Sequence, residues 1–304
     1  MACSVPVLLL AFNRPEKTGR VLEQIRMAAP IRIYAHCDGP RSQVPGETER
    51  VAEVRRIIQD KAAGIELHTL FRDTNYGLRD GVYDAINWFF RQEPFGIILE
   101  DDCLPDSTMF RFCEELLLKY QDDDAVMHIG CSNLSESVLA GSDSSYAFSR
   151  FSFIWGWATW RRAWEKMDFA ISDLDKYTGR NPFGHPWISA GSQAYLWAKF
   201  QDTRTGKNRT WDYQWFYSIL INNGLCIVPK TNLVQNIGIG EAGATNTTGN
   251  NELARKAAGA LQFPMHHPKT KSIDPRLEQQ FFYDSQKGRF RLWIWSMLRF
   301  FGLR

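Results

Sequence analysis

The chain has 304 residues, enough for one large domain or two small ones at about 100 to 200 residues each. Hydrophobic residues make up 44% and aromatics 13%, so a sizeable core can be buried, while 36 basic against 34 acidic residues leave a formal net charge of +2 and no electrostatic case for nucleic acid. Cys3, Cys37, Cys103, Cys113, Cys131 and Cys226 form no CxxC pair, which argues against zinc and for free thiols in a cytosolic protein.

Residues 5–12, VPVLLLAF, form an apolar run that suits a strand buried on both faces. No charged leader precedes the run, and it is too short to span a bilayer, so it reads as neither signal nor anchor. It ends at Asn13-Arg14-Pro15. A helix is expected over residues 16–27, with Val21, Leu22 and Ile25 on its inner face. A second strand, residues 31–35, ends in a turn at Asp38-Gly39-Pro40. The next helix, residues 47–61, turns Val51, Val54, Ile57 and Ile58 inward. IELHTLF is a short third strand, residues 75–92 are a loop entering an amphipathic helix, and FGIILEDD is a fourth strand. This alternation implies βαβ units: an α/β, Rossmann-like domain with a mainly parallel sheet flanked by helices. Ligands of such sheets sit beyond the carboxyl ends of the strands. Asn13, Arg14, Asp38, residues 75–79 and the triplet Glu100, Asp101 and Asp102 should therefore line one crevice.

Beyond Pro105 a helix is expected to about residue 121, capped by Asp106 or Ser107. DAVMHIGCSN reads as a strand and turn, SFIWGWATWRRAWEKMD as an aromatic stretch with a helical end, and residues 212–222 as a helix with Gly224 at its C-cap, followed by a strand. Residues 236–251 are rich in Gly, Asn and Thr and are expected to be a mobile loop that folds over a ligand. The 11 tryptophans read as core before they read as carbohydrate platforms. His128 follows an apolar strand and reads as a core histidine; His266 and His267 lack the spaced partners of a metal pair.

Three consecutive carboxylates at the end of a buried strand repel one another unless a cation sits with them. Two or three such oxygens suit magnesium or manganese, which keep open positions for phosphate oxygens. A solvated acidic turn is the competing reading; the place between a buried strand and a capped helix favours the site.

ILEDDCLPDSTMFRF resembles the acidic motif of GT-A glycosyltransferases, and is most similar to the N-acetylglucosaminyltransferase I group and its bacterial family-2-like relatives. VPVLLLAFNRP resembles that family's first strand and nucleotide loop, AHCDGPR its second strand end, DTNYGLRDGV its Asn-x-Gly segment, and FIWGWATWRRAW its Gly-Trp segment facing sugar and acceptor. The resemblance covers roughly residues 5–245. It implies a metal-dependent inverting transfer of a sugar from a nucleotide diphosphate, UDP or specifically UDP-N-acetylglucosamine, to a hydroxyl of a glycan or lipid-linked acceptor, in building a surface polysaccharide. Asp102 would hold Mn2+ or Mg2+ against the diphosphate. Glu100 and Asp101 would meet the sugar or ribose, Asp38 the uracil or ribose, and Arg14 the phosphates. Phe12, Asn13, Asn75 and Arg79 would line the nucleotide, and Gly156 and Trp157 would wall the donor sugar. Asp212, in TWDYQWFYS, would be the general base, although the relatives carry two adjacent acids there and this chain has one. Two other readings stay open. A sugar nucleotidyltransferase would open on a glycine-rich basic signature that AFNRPEKTGR lacks; a non-catalytic GT-A module would keep the fold without turnover.

The division expected is a GT-A domain over residues 1–250 and an extension over 251–304. The extension ends in GRFRLWIWSMLRFFGLR, in which Phe290, Leu292, Trp293, Trp295, Leu298, Phe300 and Phe301 mix with Arg289, Arg291, Arg299 and Arg304. That mixture is too short and too charged to span a bilayer and suits an interfacial helix on anionic lipid, at the inner membrane face where lipid-linked acceptors sit. The competing reading packs the same aromatics back on the domain.

Overall fold

The computed structural model of the protein describes residues 3–177, 190–238 and 256–285. The fold grows from the first apolar run: β1 (Val7–Ala11) is buried along its whole length. It pairs in parallel with β2 (Arg32–Cys37) on one side and with β4 (Phe95–Glu100) on the other. β3 (Glu66–Phe71), the outer neighbour of β2, is the half-exposed edge. Between them run α1 (Pro15–Ala28), α2 (Glu47–Lys61) and α3 (Gly77–Phe90). Pro15 opens α1 where a missing N–H costs nothing, and Ala29, in the left-handed region, ends it.

The order β3-β2-β1-β4 is the parallel, Rossmann-like half of an eight-stranded sheet. The other half is mixed. β8 (Trp157–Trp160) lies antiparallel between β4 and β6 (Val126–Gly130); β9 (Leu225–Pro229) runs parallel to β6, and β7 (Tyr146–Ser149) antiparallel to β9. The expected mainly parallel sheet thus holds for the first four strands. WATW is the reason for the difference: four buried residues carry no period, so the sequence does not distinguish this strand from the start of the short helix α6 (Arg161–Trp164).

Helices cover both faces. α1, α2 and α4 (Thr108–Lys119) pack on the side of Val7, Leu9, Ile97 and Leu99. α3, α6 and α8 (Asp212–Ile221) pack on the side of Leu8, Leu10 and Ile98, over a tryptophan cluster. There Trp157 lies 5.7 Å from Trp211 and 6.1 Å from Trp215, and Trp164 lies 5.1 Å from Trp215. Trp157, Trp160, Trp164, Trp211 and Trp215 are core residues, as composition suggested. His128 sits among them, accepting from Trp215 Nε1 at 3.2 Å and donating from Nε2 to the Phe153 carbonyl at 3.0 Å.

Several local expectations shift by a residue or two. Asp106 supplies the side chain that accepts the Thr108 N–H at 2.8 Å at the start of α4. After α8 the left-handed residue is Asn223 (φ 53), while Gly224 is pressed against Met127, where a Cβ would meet Sδ at 2.5 Å. The sequence also concealed α5 (Glu136–Leu139), α7 (Ala190–Arg204) and a two-stranded ribbon in which β5 (Cys103–Pro105) pairs with β10 (Val234–Asn236). Beyond residue 256 the chain returns to the sheet: Leu261 and Met265 join the main core, and Leu277 of α9 (Pro275–Ser285) packs with Leu139 and Val228. The basic-aromatic tail, residues 289–304, and most of the expected loop at 236–251 lie outside the described residues. Among the described residues no helix is long and apolar enough to cross a membrane. All six cysteines are free and buried.

Burial holds the His128 imidazole down to about 3. The unfolded chain takes up this proton below about 6.5 and the folded chain does not, so stability is lost as pH falls through that window, by up to about 1.4 kcal/mol per pH unit. His128→Gln should lower Tm at pH 8 and make the acid-side fall in Tm shallower, as read by calorimetry across the two limbs.

Candidate functional site

After β3 the chain crosses back to place β4 on the far side of β1, so the strand order reverses between β1 and β4. In an open α/β sheet the carboxyl ends of the strands at such a reversal are where a ligand-binding crevice is expected. The residues at this mouth are Phe12, Asn13 and Arg14 after β1 and Glu100, Asp101 and Asp102 at the end of β4.

Strand alternation divides the acids. Leu10 pairs with both His36 and Glu100, so Glu100 continues the Ile98 side of the sheet, toward α3 and α8. Asp101 turns back to β1, accepting the Phe12 N–H at 3.1 Å and Arg14 Nη1 at 3.3 Å. Asp102 takes the same Arg14 nitrogen at 2.6 Å. Both aspartates are buried, at 5% and 9% exposure, so this guanidinium is their counter-charge. Burial and the Asp102 charge nevertheless raise Asp101 to about 6. Glu100 is raised well above the ordinary carboxylate range by desolvation, then by Asp102, Asp101 and Asp212. It makes no hydrogen bond through its side chain among the described residues. The Asp212 contribution is informative: the first residue of α8 stands within electrostatic reach of the end of β4. Asp212 is itself raised by burial, accepts from the Thr210 hydroxyl, and is opposed by the N–H groups of its own helix turn.

A second group shapes the loops. Asp38, 7% exposed, accepts from the N–H groups of Gly39, Tyr76 and Gly77, each at 2.9 Å, and from Asn75 Nδ2 at 3.0 Å. Its carboxylate, expected at the base or ribose, is the cap of α3, supplied from the loop after β2. Asn75 also donates to the Gly39 carbonyl at 2.8 Å. The two loops cross so closely that a Cβ on Gly39 would lie 2.4 Å from the Thr74 carbonyl carbon. Asn13 donates to Glu47 at 2.7 Å, and fully buried Glu47 also accepts three bonds from Arg41. These donors, the Arg41 side chain foremost, hold its pKa down to about 2. Arg41 in turn lies over the Phe12 ring, 5.4 Å from its centroid.

Other expected residues stand elsewhere. Trp157 is 1% exposed inside the tryptophan cluster, so the expected sugar wall is corrected to a core residue with no free face. Gly156 beside it has φ +63, and a Cβ there would meet Val234 Cγ2 at 2.7 Å; it allows β8 to enter under β10 rather than facing a ligand. Arg79 lies 4.4 Å from the Phe169 centroid on the outer side of α3. Glu47 was read only as the start of a helix; an acid in the first turn, two segments from a strand-end asparagine, gives no contact signal by itself. Lys199 on α7, whose charge acts on Asp212, carried no sequence signal.

Among the described residues no group of three or more His, Cys, Asp or Glu is arranged as a metal cage. His267 contacts Tyr146 and Glu115, and His128 is satisfied within the core. Among the described residues Asp102 has one oxygen on Arg14 and the Cys103 thiol, at 3.7 Å, beside the other. That donor set fits an ion held by one carboxylate and completed by phosphate oxygens and water, the usual manner of magnesium.

Neither a family model nor a curated protein matches this sequence. Among solved structures, HddC from Yersinia pseudotuberculosis is similar at 14% identity and a TM-score of 0.28, over 42% of this chain. The chain spans 59% of the length of that structure.

Asp38→Ala strips three backbone donors of their partner. The variant should lose roughly 2 to 4 kcal/mol in urea unfolding, and Asp38→Asn less, because it keeps one acceptor oxygen. A carboxylate that served only a ligand would leave stability unchanged.

Proposed function

We propose that the chain is a nucleotide-sugar glycosyltransferase of GT-A type, transferring a sugar from a UDP-linked donor to a hydroxyl of a glycan or lipid-linked acceptor with inversion. The observation that carries this reading is that the β4 acids, two of them bonded to Arg14 at the switch point of the sheet, include Glu100, which lies within electrostatic reach of Asp212 on the distant α8.

Each group has a task set by its surroundings. Asp102 would hold Mn2+ or Mg2+, which when bound neutralises charge on the leaving diphosphate. Arg14 is bound to Asp101 and Asp102, and its guanidinium can exchange an aspartate for a phosphate oxygen without leaving the mouth. Glu100 and Asp101 offer carboxylates to sugar or ribose hydroxyls. Phe12 lines the floor beneath Arg41, while Asn13, Asp38 and Asn75 hold the loops that frame the nucleotide. Asp212 takes the proton from the attacking acceptor hydroxyl. Its raised pKa and its separation from the Arg14 pair suit a base on the side away from the diphosphate.

Calorimetric titration of UDP with and without manganese, followed by a donor-hydrolysis assay, tests the reading. Wild type should bind UDP more tightly with the ion, and Asp102→Asn should lose that gain. Metal-dependent binding with no turnover would favour a non-catalytic module instead.

Asp212→Asn should lower kcat by about 10²-fold or more with donor affinity nearly unchanged. NMR of the wild-type product should show an inverted anomeric centre; a retained centre would overturn the role of Asp212.

A further inference from the structure

Beside Asp212 the two helices α7 and α8 build a group of side chains that the transfer reaction as described does not use. Tyr195 and Lys199, four residues apart, share one face of α7, and Tyr213 follows Asp212 in the first turn of α8. The two phenol oxygens are 3.1 Å apart. Lys199 Nζ sits 5.7 Å from the Tyr195 ring centroid and 5.9 Å from that of Tyr213, so two aromatic faces flank one ammonium. Lys199 is partly buried and makes no ion pair among the described residues. Its charge acts on Asp212, whose carboxylate already accepts from the Thr210 hydroxyl.

We propose that Lys199, held between Tyr195 and Tyr213, anchors an anionic group, a carboxylate or a phosphate, on the sugar acceptor whose hydroxyl Asp212 deprotonates. The inference rests on the transferase reading and adds the chemical class of the acceptor. A half-buried ammonium that no described carboxylate pairs with has lost part of its hydration, and the two ring faces return only some of it. An oxyanion in that position completes the site at little further cost. The arrangement also suits the reaction. An acid sugar brought to Asp212 without a local cation would place two negative charges together; with Lys199, whose charge acts on Asp212, the acceptor's charge is met and its neighbouring hydroxyl is left facing the base. A neutral acceptor gains nothing from this lysine.

The test uses the full chain and three probes, methyl glucuronide, glucose 6-phosphate and methyl glucoside, titrated by NMR with and without UDP. At least one anionic probe should bind about tenfold or more tightly than the neutral glucoside, and which one does so distinguishes carboxylate from phosphate. Added salt should shrink the preference in wild type. Lys199→Met and Lys199→Gln should abolish it, and Lys199→Arg should keep it; the salt arm needs no variant to fold. Equal binding of all three probes, no binding of any, or an intact preference in a folded Lys199→Met chain would overturn the proposal. The UDP titration reads the transferase reading separately: failure to bind nucleotide while the anion preference persists would sink that reading and leave the anion site standing.

Discussion

Two of the three carboxylates at the mouth of a buried parallel strand are met by one guanidinium that reaches them from the neighbouring strand. Arg14 leaves the end of β1 at the point where β1 and β4 run side by side, and a single nitrogen meets Asp101 and Asp102. Among the described residues no cation is bonded to Glu100, which the pleat turns to the opposite face. The site therefore has two electrostatic halves. On one side a compensated pair of aspartates can exchange partners with a phosphate and its ion. On the other, Glu100 and Asp212 stand within electrostatic reach of each other, and burial raises the proton affinity of both. The proposed separation of diphosphate departure from hydroxyl activation follows from strand alternation.

The loops that frame this mouth are held by two buried acids. Glu47 gathers Asn13 and Arg41, and Asp38 gathers Gly39, Asn75, Tyr76 and Gly77. Each is a buried carboxylate saturated with donors, and a buried charge so satisfied is costly to disturb. The rim of the crevice is thereby fixed before any ligand arrives, which lowers the ordering cost of binding.

Legibility in the sequence followed the physics of each element. β1, β2 and β4 are buried on both faces, so their apolar runs stood out, and the acids at the end of β4 were conspicuous by contrast. Topology then grouped the strand-end residues without side-chain knowledge. Side-chain destinations were hidden: an aspartate at a strand end reads alike whether it meets ribose or caps a helix, and Asp38 caps α3. Trp157 was hidden for a related reason. A tryptophan in a Gly-Trp segment is equally at home on a sugar or in a core, and only its neighbours decide. α7 was missed because its apolar and polar residues, AGSQAYLWAKFQDTR, do not segregate to opposite faces, and Lys199 went with it.

The correction at Trp157 changes what that residue does for the site. β8 pairs with β4, placing Trp157 opposite Ile98, two residues from Glu100. The Trp157 indole stacks on Trp211, and Trp211 is the residue immediately before Asp212. One turn later Trp215 is tied to His128 on β6, the other neighbour of β8. The first turn of α8 is thus fastened to the sheet through two indoles on either side of Asp212. Packing on the sheet places this carboxylate, and burial raises its proton affinity against the opposing Lys199 charge, which suits the general base proposed for it. The aromatic residues expected to hold the sugar act one step earlier, setting the distance between the β4 acids and Asp212.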